Sequence, residues 1–342
     1  MSEAFPLVEV AGDAFHMGYQ HGKQAEPLIR RYLQWIEKLT GQAAAPLRDN
    51  AMRFVPYITR LSPEYMQEVL GLAEGARIPL ADAMLCQARA EAARQWDGGC
   101  TAFALARSAT AGGRPLAGQN QDLEPGYADV AIVLRVRPNG GRPRAVMVTF
   151  AGQLGYAGMN EFGVSNFSNA LYNFRWRPGL PYYPIRRVLL EQRTAGDCIR
   201  ILREQRACSA VNLVIADGRG DVADVESRPE GIAVYRDEHP DRRLHTNHYL
   251  TAEFAAYEDG TLPDSVPRLA RVRRLVAKAW GKIDVSTMKE ILADHDGGAA
   301  GICRHGDRGM DSIAAYIADP AAGTLHVRRG HGCKGAWTAY KV

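Results

Sequence analysis

Apolar positions recur at three- and four-residue intervals in the first third of the chain, and this spacing predicts helices. The segments with that spacing are "HMGYQHGKQAEPLIRRYLQWIEKL", "PEYMQEVLGLAEGARI" and "LADAMLCQARAEAARQW". The pattern changes near Gly99. Beyond this point, short β-prone runs, such as "CTAFALARS" and "VAIVLRVRP", are separated by Gly, Pro, Asn and Asp, which predicts strands.

Helical spacing returns in four later segments, and two more strands are predicted after them. The helical segments are "YYPIRRVLLEQ", "AGDCIRILREQ", "DSVPRLARVRRLVAKAWGK" and "VSTMKEILADH". The final strands lie in "DSIAAYIADPAAGTLHVRRG", with a turn at Asp319 to Gly323 between them. Strands interleaved with two groups of helices favour stacked sheets covered by helices, rather than the regular alternation of a parallel α/β fold.

Composition and charge exclude several classes of protein. With 46% apolar and 23% charged residues, the chain has the composition of a globular protein. The net charge of +4 is small and its basic residues are dispersed, so we expect no nucleic-acid partner. No run approaches the ~18 apolar residues of a membrane span, and the N-terminus lacks the pattern of a signal peptide. We therefore expect a cytoplasmic protein with no membrane partner and with its six cysteines free.

One segment is more basic than the rest. If "DSVPRLARVRRLVAKAWGK" is a helix, its apolar residues Leu269, Val272 and Val276 point inward. Its outer face would then carry Arg268, Arg271, Arg273, Arg274, Lys278 and Lys282. We interpret this face as solvated. The alternative is a surface that attracts the anionic tail of a substrate.

Motifs for cofactors and metals are weak. The glycines of "GQLGYAG" lack the strand, helix and acidic residue of a dinucleotide site. Two soft-ligand pairs occur, Cys303 with His305 and His331 with Cys333, but each has one intervening residue, which is unusual for zinc. We expect no metal and no cofactor.

Cys100 has an unusual environment, because two glycines precede it and a strand-like run follows it in "RQWDGGCTAFAL". A cysteine nucleophile needs a base. If the Gly99–Cys100 bond were cut, the new α-amine of Cys100, with a pKa near ~8, could act as the base for its own thiol. Glycine permits the strained backbone and close approach that self-cleavage requires. The alternative is a plain turn before a strand.

Seven motifs in order along the chain, one of them the motif around Cys100, support the first interpretation. They are "FHMGYQHG", "EVLGLAEGARIPLADAMLCQAR", "GGCTAF", "GQNQD", "NLVIADGRGDVADVE", "HTNHY" and "DH" followed by "ICRH". With these motifs the chain resembles the acyl-coenzyme A:6-aminopenicillanic acid acyltransferase (isopenicillin N acyltransferase) family of autoproteolytic N-terminal-nucleophile enzymes. The resemblance covers nearly the whole length.

The resemblance implies an α+β fold, the αββα sandwich of N-terminal-nucleophile hydrolases. It implies a precursor cut between Gly99 and Cys100 into a helical N-terminal segment, residues 1–99, and a catalytic core, residues 100–342. The two chains would stay associated as one structural unit.

The resemblance also implies roles for individual residues. Cys100 matches the nucleophile, Asp122 an acid near its α-amine, Asn247 the oxyanion-hole amide, and Arg304 an arginine facing the nucleophile. An asparagine N–H is suited to a developing oxyanion, and a buried arginine and carboxylate can set protonation states.

Further predictions concern residues close to these four in the sequence. We expect Thr101 and Gln119 to bind the substrate. Gln121 stands where we would expect an aromatic residue.

Each of these residues also has a purely structural alternative. Asp122 could accept hydrogen bonds in a turn, Asn247 could end a strand, and Arg304 could form an ion pair. The neighbouring histidines could be core or turn residues: His245, His248 and His305.

The sequence thus predicts an enzyme that forms a thioester on Cys100 and passes the acyl group of a small amide or thioester to water or to an amine. One alternative is a dedicated acyltransferase that uses a coenzyme A or carrier-protein thioester. A second alternative is a protein of this fold that binds small acylated molecules without turnover.

Overall fold

The computed structural model of the chain describes residues 4–298, 301–306 and 309–342, and within them the strands form two sheets. The larger sheet contains, in spatial order, β1 (Leu7–Gly12), β4 (Ala131–Pro138), β5 (Ala145–Phe150), β6 (Ala157–Asn160), β7 (Ser165–Ala170), β8 (Val211–Ala216), β9 (Val222–Arg228) and β10 (Gly231–Val234). The smaller sheet contains β11 (Arg242–His245), β2 (Gly99–Arg107), β3 (Gly113–Leu123), β12 (Asp311–Asp319), β13 (Thr324–Arg329) and β14 (Trp337–Lys341).

In the part of the chain that the structure describes, six α-helices follow β1, and four more lie between later strands. The N-terminal helices are α1 (Ala14–Thr40), α2 (Ala44–Met52), α3 (Val55–Leu61), α4 (Pro63–Gly75), α5 (Leu80–Gln87) and α6 (Arg89–Ala93). The later helices are α7 (Tyr182–Leu189), α8 (Ala195–Glu204), α9 (Ser265–Lys278) and α10 (Val285–Leu292). Two short 3₁₀ helices cover Pro125–Asp129 and Ala255–Tyr257. No helix in the described ranges has the length and hydropathy that a bilayer crossing requires.

The layers stack in the order predicted, helices, sheet, sheet, helices. Strands β2 and β3 contact β7 and β8 of the larger sheet, while α9 and α10 contact β11, β3 and β12 from the other side. Side chains alternate along β2 because successive residues of a strand point to opposite faces. Phe103 and Leu105 pack with the helices, whereas Ala102 and Ala104 belong to the core between the sheets. This alternation places the side chain of Cys100 on the same face as Ala102, toward the larger sheet.

The first third of the chain is not purely helical. Strand β1 pairs in parallel with β4 at the edge of the larger sheet, with Val8 and Val10 buried. The sequence reading missed this strand because a six-residue edge strand gives a weak signal beside long helices. Residues 1–99 therefore share a sheet with residues 100–342.

Glycines allow α1 and α4 to pack in backbone contact. A Cβ atom on Gly18 would lie 1.9 Å from the carbonyl oxygen of Glu68, and one on Gly71 would lie 2.0 Å from that of Phe15. Any larger residue would push the helices apart. This crossing is a physical reason for the glycine spacing in "HMGYQHG" and "EVLGLAEG".

Candidate active site

The backbone around Cys100 is held by polar side chains on both sides. The N–H of Cys100 donates to Asn247 Oδ1 at 2.9 Å. Its carbonyl oxygen accepts from Asn169 Nδ2 at 3.0 Å and from Arg268 Nη1 at 2.7 Å. The Tyr172 hydroxyl donates to the carbonyl of Gly98 at 2.6 Å. The peptide groups that flank the Gly99–Cys100 bond are therefore fixed before any reaction.

The backbone at Gly98 requires glycine. Its φ is +108°, a region that side chains with a Cβ rarely adopt, and a Cβ there would stand 2.7 Å from the Leu123 side chain. Strand β2 begins at the next residue. The backbone therefore changes from a positive-φ conformation at Gly98, which favours glycine, to a regular β-strand at Gly99, directly before Cys100.

The Cys100 thiol lies in a site that disfavours its charged form. Burial raises the pKa of the thiol to about 12, and the Asp122 carboxylate adds to the rise. Hydrogen bonds from the Asp122 backbone and the Gln119 side chain act in the opposite direction. In the intact chain the thiol is therefore protonated at neutral pH, and Gln119, predicted to bind the substrate, contacts it.

Asp122 and Arg304 lie next to each other in the structure. The Asp122 carboxylate is fully buried, accepts from Ser312 Oγ at 2.6 Å, and lies 3.5 Å from Arg304 Nε. Burial raises the pKa of Asp122 to about 6, although Arg304 and Arg268 oppose the shift. Arg304 also forms an ion pair with Asp264. Both residues therefore belong to one buried network of charges.

Asn247 contacts Cys100 through its amide oxygen, whereas the expected oxyanion role would use its amide nitrogen. Its oxygen accepts from the Cys100 N–H and from Arg268 Nη2 at 2.7 Å. Its nitrogen donates to the Ala170 carbonyl at 3.0 Å. In the intact chain this nitrogen is therefore engaged elsewhere, and the oxyanion role expected for Asn247 requires it to be released.

Arg268 corrects the sequence reading of the basic helix. It was placed on the solvated outer face, but it is fully buried and donates to Cys100, to Asn247 and, at 3.1 Å, to Thr101 Oγ1. Its Nε binds Asp264 at 2.7 Å, one helical turn earlier. The signal was present in the sequence, because Arg268 lies four residues before the inward-pointing Val272.

Asn169 is a second residue that the sequence analysis missed. It lies on β7 and donates to the carbonyls of Cys100 and His245. The signal for it was a strand that is buried at every position yet contains mostly serine and asparagine, "SNFSNA". Such polar side chains are retained in a core only when hydrogen bonds satisfy them.

The three candidate histidines are engaged with other partners. His245 bonds to Glu226 and to the Thr246 carbonyl, and His248 bonds to Ser265. His305 lies against two cysteine sulfurs. None of the hydrogen bonds in the described ranges joins one of these rings to Cys100, which favours their structural alternatives.

A small aromatic cavity lies beside Cys100. Its volume is about 30 Å³, which suffices for little more than one water molecule. Six aromatic rings line it: Trp96, Tyr127, Phe150, Tyr156, Tyr182 and Tyr183. Gln121, which stands where an aromatic residue was expected, donates to Tyr156 Oη at 2.6 Å and so helps to position this wall.

Trp96 and Asp97 occupy part of the space around the aromatic cavity beside Cys100. Asp97 accepts from Tyr127 Oη at 2.7 Å and from Arg89 Nη2 at 3.1 Å. Trp96 packs edge-on against Tyr182, with ring centroids 5.3 Å apart. In the intact chain, residues immediately before Cys100 therefore occupy the space beside its thiol.

The two stacked sheets between helical layers form the αββα sandwich that the resemblance implied, with the buried Cys100 as the second residue of β2. The profile of the family described as acyl-coenzyme A:6-aminopenicillanic acid acyl-transferase matches residues 109–332. The chain belongs to this family of acyl-transferring enzymes.

Individual relatives agree with this assignment. The chain is 27% identical over 308 residues to the acyl-coenzyme A:6-aminopenicillanic-acid-acyltransferase 40 kDa form of Emericella nidulans, covering 87% of this chain and 84% of that protein. Two crystal structures of variants of conjugated bile acid hydrolase from Clostridium perfringens are similar in fold, each with a TM-score of 0.51. At 14% identity, they cover 71% of this chain and 97% of theirs.

Proposed function

We propose that this chain is the precursor of a cysteine N-terminal-nucleophile enzyme, which cuts itself before Cys100 and then transfers acyl groups through a thioester on that residue. The observation that carries the proposal is the environment of Cys100. A glycine with positive φ precedes it by two residues, and side chains from three other elements or loops hold its peptide groups.

Self-cleavage would begin with the Cys100 thiol. Its sulfur attacks the Gly99 carbonyl carbon, its proton passes to the Cys100 nitrogen, and the C–N bond breaks to give a thioester and a free α-amine. Water then hydrolyses the thioester, leaving a Gly99 carboxylate and the free thiol. The bond from Cys100 N to Asn247 Oδ1 supports this step because it orients the nitrogen that must accept the proton.

In the mature enzyme, the α-amine of Cys100 would take the thiol proton as sulfur attacks the acyl carbonyl of the substrate. The leaving group departs with that proton, and water or an amine then attacks the thioester carbonyl, so that the C–S bond breaks and the attacking group's proton returns to the Cys100 sulfur by way of the α-amine. Asp122 would hold the amine, and Arg304 would balance the charge of Asp122. Asn247, once its nitrogen leaves the Ala170 carbonyl, would donate to the oxyanion, a contact typically worth ~2.7–4 kcal/mol of barrier.

The walls of the cavity indicate the class of acyl group. Six aromatic rings beside the thiol favour an apolar acyl chain or aryl group over a charged one. Since the volume is about 30 Å³ in the intact chain, such a group enters only after Trp96 and Asp97 move.

Intact-mass analysis of the purified chain tests the proposal. We expect two associated fragments, residues 1–99 and 100–342, from the wild type and a single chain from Cys100→Ala. The matched control is Cys198→Ala, which removes another buried cysteine and should still be cut. An uncut wild type would favour a non-catalytic binder of acylated molecules. A Cys100→Ala chain that is still cut at this bond would point to an external protease.

A dedicated amine acyltransferase is the second candidate, because the name of the curated relative describes an acyl-coenzyme A:6-aminopenicillanic-acid-acyltransferase. Both activities share the Cys100 thioester. Product analysis separates them: a thioester donor supplied with an amine should give mainly amide for a transferase and mainly free acid for a hydrolase.

A further inference from the structure

A second group of reactive side chains lies apart from the Cys100 thiol, where the segment after α10 meets the turn between β13 and β14. Cys303 and His305 belong to the segment, and Cys333 belongs to the turn. The two sulfurs are 4.0 Å apart. His305 Nε2 is 3.6 Å from Cys303 Sγ and 3.2 Å from Cys333 Sγ.

These distances are those between the ligands of a tetrahedral zinc ion. With Zn–S bonds of about 2.3 Å and Zn–N bonds of about 2.0–2.1 Å, a regular tetrahedron has S···S edges of about 3.8 Å and S···N edges of about 3.6 Å. The three observed separations lie within a few tenths of an ångström of these edges. Three ligand atoms thus already share one face of the tetrahedron.

His295 can supply the fourth ligand. A ligand nitrogen of His295, one of His305 and the Cys333 sulfur all lie within 4.8 Å of one another. Cys303 is not in that group, so the His295 ring has to turn toward Cys303 to complete the tetrahedron. Its Nδ1 lies 3.1 Å from the Ala293 carbonyl oxygen, so it donates there and leaves the Nε2 lone pair free. Such a backbone contact is the usual way in which a protein orients a metal-binding histidine.

His331 supports the group from outside. Its ring lies against His305, with centroids 4.1 Å apart, and its Nε2 lies 3.2 Å from Asp311 Oδ1. The imidazole of His305 is therefore held by a neighbouring ring as well as by its place in the chain.

We propose that Cys303, His305, Cys333 and His295 bind one zinc ion. Binding releases the two thiol protons to solvent, so a Cys₂His₂ site with Zn²⁺ is neutral overall. The sequence led us to expect no metal, because each pair of soft ligands has only one intervening residue. The fold changes that expectation by bringing Cys333 against the other pair.

The zinc ion is structural, and its place in the chain gives it a consequence for the catalytic site. Arg304 lies between two of the ligands, and its side chain forms ion pairs with Asp122 and Asp264. Its backbone N–H donates to Ser312 Oγ at 2.8 Å, and that hydroxyl donates to Asp122. A metal that fixes residues 303 and 305 therefore also fixes the position of Arg304.

Metal content of the full chain tests the site without reference to activity. After desalting, elemental analysis should find about one zinc per chain in the wild type and in the uncut Cys100→Ala variant alike. Cys333→Ser should lose nearly all of it. Cys198→Ser, a buried cysteine on α8, is the matched control and should keep it. If Cys100→Ala holds zinc but the wild type is not cut, the metal site stands while the proposed maturation fails.

Two further measurements keep the test decisive if Cys333→Ser folds poorly. His295 is exposed, so His295→Ala should fold normally and bind zinc at least about tenfold more weakly. Co²⁺ added to chelator-treated wild type should give the visible absorption of a tetrahedral thiolate site, and Cys303→Ser should abolish it. The proposal is overturned if the wild type carries no bound metal, if mass analysis finds Cys303 and Cys333 joined in a disulfide, or if His295→Ala binds zinc as tightly as the wild type.

Discussion

Two buried carboxylates and two buried guanidinium groups lie behind Cys100. Asp122 and Asp264 face Arg268 and Arg304, and none of the four is more than 6% exposed. Burying charges is costly even when they are paired, so removing one member leaves its partner uncompensated. A cluster of this kind stabilises the fold less than an apolar core would. The cluster instead keeps charged groups close to the Cys100 thiol.

The raised pKa of Asp122 gives a pH dependence of known sign. The folded pKa of about 6 exceeds the ordinary value of 3.8, so between those two pH values the folded chain binds more protons than the unfolded one. Stability contributed by this group therefore falls as pH rises from about 4 to 6. In the uncut Cys100→Ala background, the stability advantage of Asp122 over Asp122→Asn should shrink by up to about 3 kcal/mol between pH 4 and 7.

Urea unfolding at several pH values measures this difference. Asp49→Asn removes an exposed carboxylate and serves as the control, with no comparable trend expected. An advantage that grows with pH would contradict the prediction, because it would mean that Arg304 and Arg268 outweigh the cost of burial.

Arg268 should matter for self-cleavage through its geometry as well as its charge. Its planar group reaches the Cys100 carbonyl, Thr101 and Asn247 at once, which a lysine cannot do. Charge-assisted hydrogen bonds contribute ~1.5–3 kcal/mol, so Arg268→Lys should slow self-cleavage by roughly ten- to a hundredfold. The rate is measured by following loss of the precursor on denaturing gels.

The control for Arg268→Lys lies on the same helix. Arg274 is exposed, and Arg274→Lys should be cut at the wild-type rate. Equal rates for Arg268→Lys and the wild type would show that charge alone suffices at that position.

At the scale of elements, the crossing of α1 and α4 depends on glycine. Gly71→Ala would place a Cβ 2.0 Å from the Phe15 carbonyl oxygen, and overpacking of this kind costs about 1–3 kcal/mol. We expect a lower melting temperature for Gly71→Ala in the Cys100→Ala background. Gly196→Ala, in helix α8 with its nearest neighbour at 3.7 Å, should instead be neutral or raise stability by about 0.4–1 kcal/mol. Similar losses in both variants would mean that helix crossing is not the reason for Gly71.

Periodicity predicted most elements because each long helix or buried strand carries its own pattern. The inward stripe of α9, with Leu269, Val272 and Val276, is buried as predicted. Arg268 was predicted to be exposed because it was grouped with the other basic residues of α9. Its spacing of four residues from Val272 places it on the buried face instead. Strand β1 was missed because its burial depends on pairing with β4, which is more than a hundred residues away.

The exposed part of α9 is less basic than its sequence suggested. Arg271 binds Asp294 with two nitrogens, at 2.9 and 2.5 Å, and lies 3.1 Å from Asp296. Asp294 and Asp296 follow α10 in the sequence, so no pattern within α9 predicts their contact with Arg271. Recruitment of an anionic donor tail would therefore depend on the exposed Arg274 and Lys278 instead.

At the scale of the whole molecule, the residues of the candidate site that could be predicted are those that lie in a recognisable sequence motif. Cys100, Asp122, Asn247 and Arg304 stand in short motifs and do lie together. The soft-ligand group beside Arg304 could not be predicted, because Cys303 and Cys333 are thirty residues apart and meet only through the β12–β13 hairpin.

Residues 1–99 also contribute to a shared core, since β1 completes the edge of the larger sheet and α1 contacts both β1 and β4. Cutting before Cys100 would therefore leave both chains in place. Its effect would be confined to the residues just before the cut.

Cleavage should open the cavity by releasing residues 94–99. In the intact chain these residues are tied at both ends, by Cys100 on one side and by the bond from Gln95 N–H to the Ala90 carbonyl on the other. After the cut, the covalent tie at Cys100 is lost, and the segment is held by packing, the contacts of Gln95 and Asp97, and the hydrogen bond from Tyr172 to the Gly98 carbonyl. Hydrogen exchange at residues 95–99 should therefore be faster in the mature protein than in uncut Cys100→Ala, and only the mature form should bind apolar carboxylic acids. Trp96→Ala added to Cys100→Ala should restore binding without cleavage, because it vacates the same space. Equal exchange in both forms, or no binding to the double variant, would show that the acyl group enters by another route.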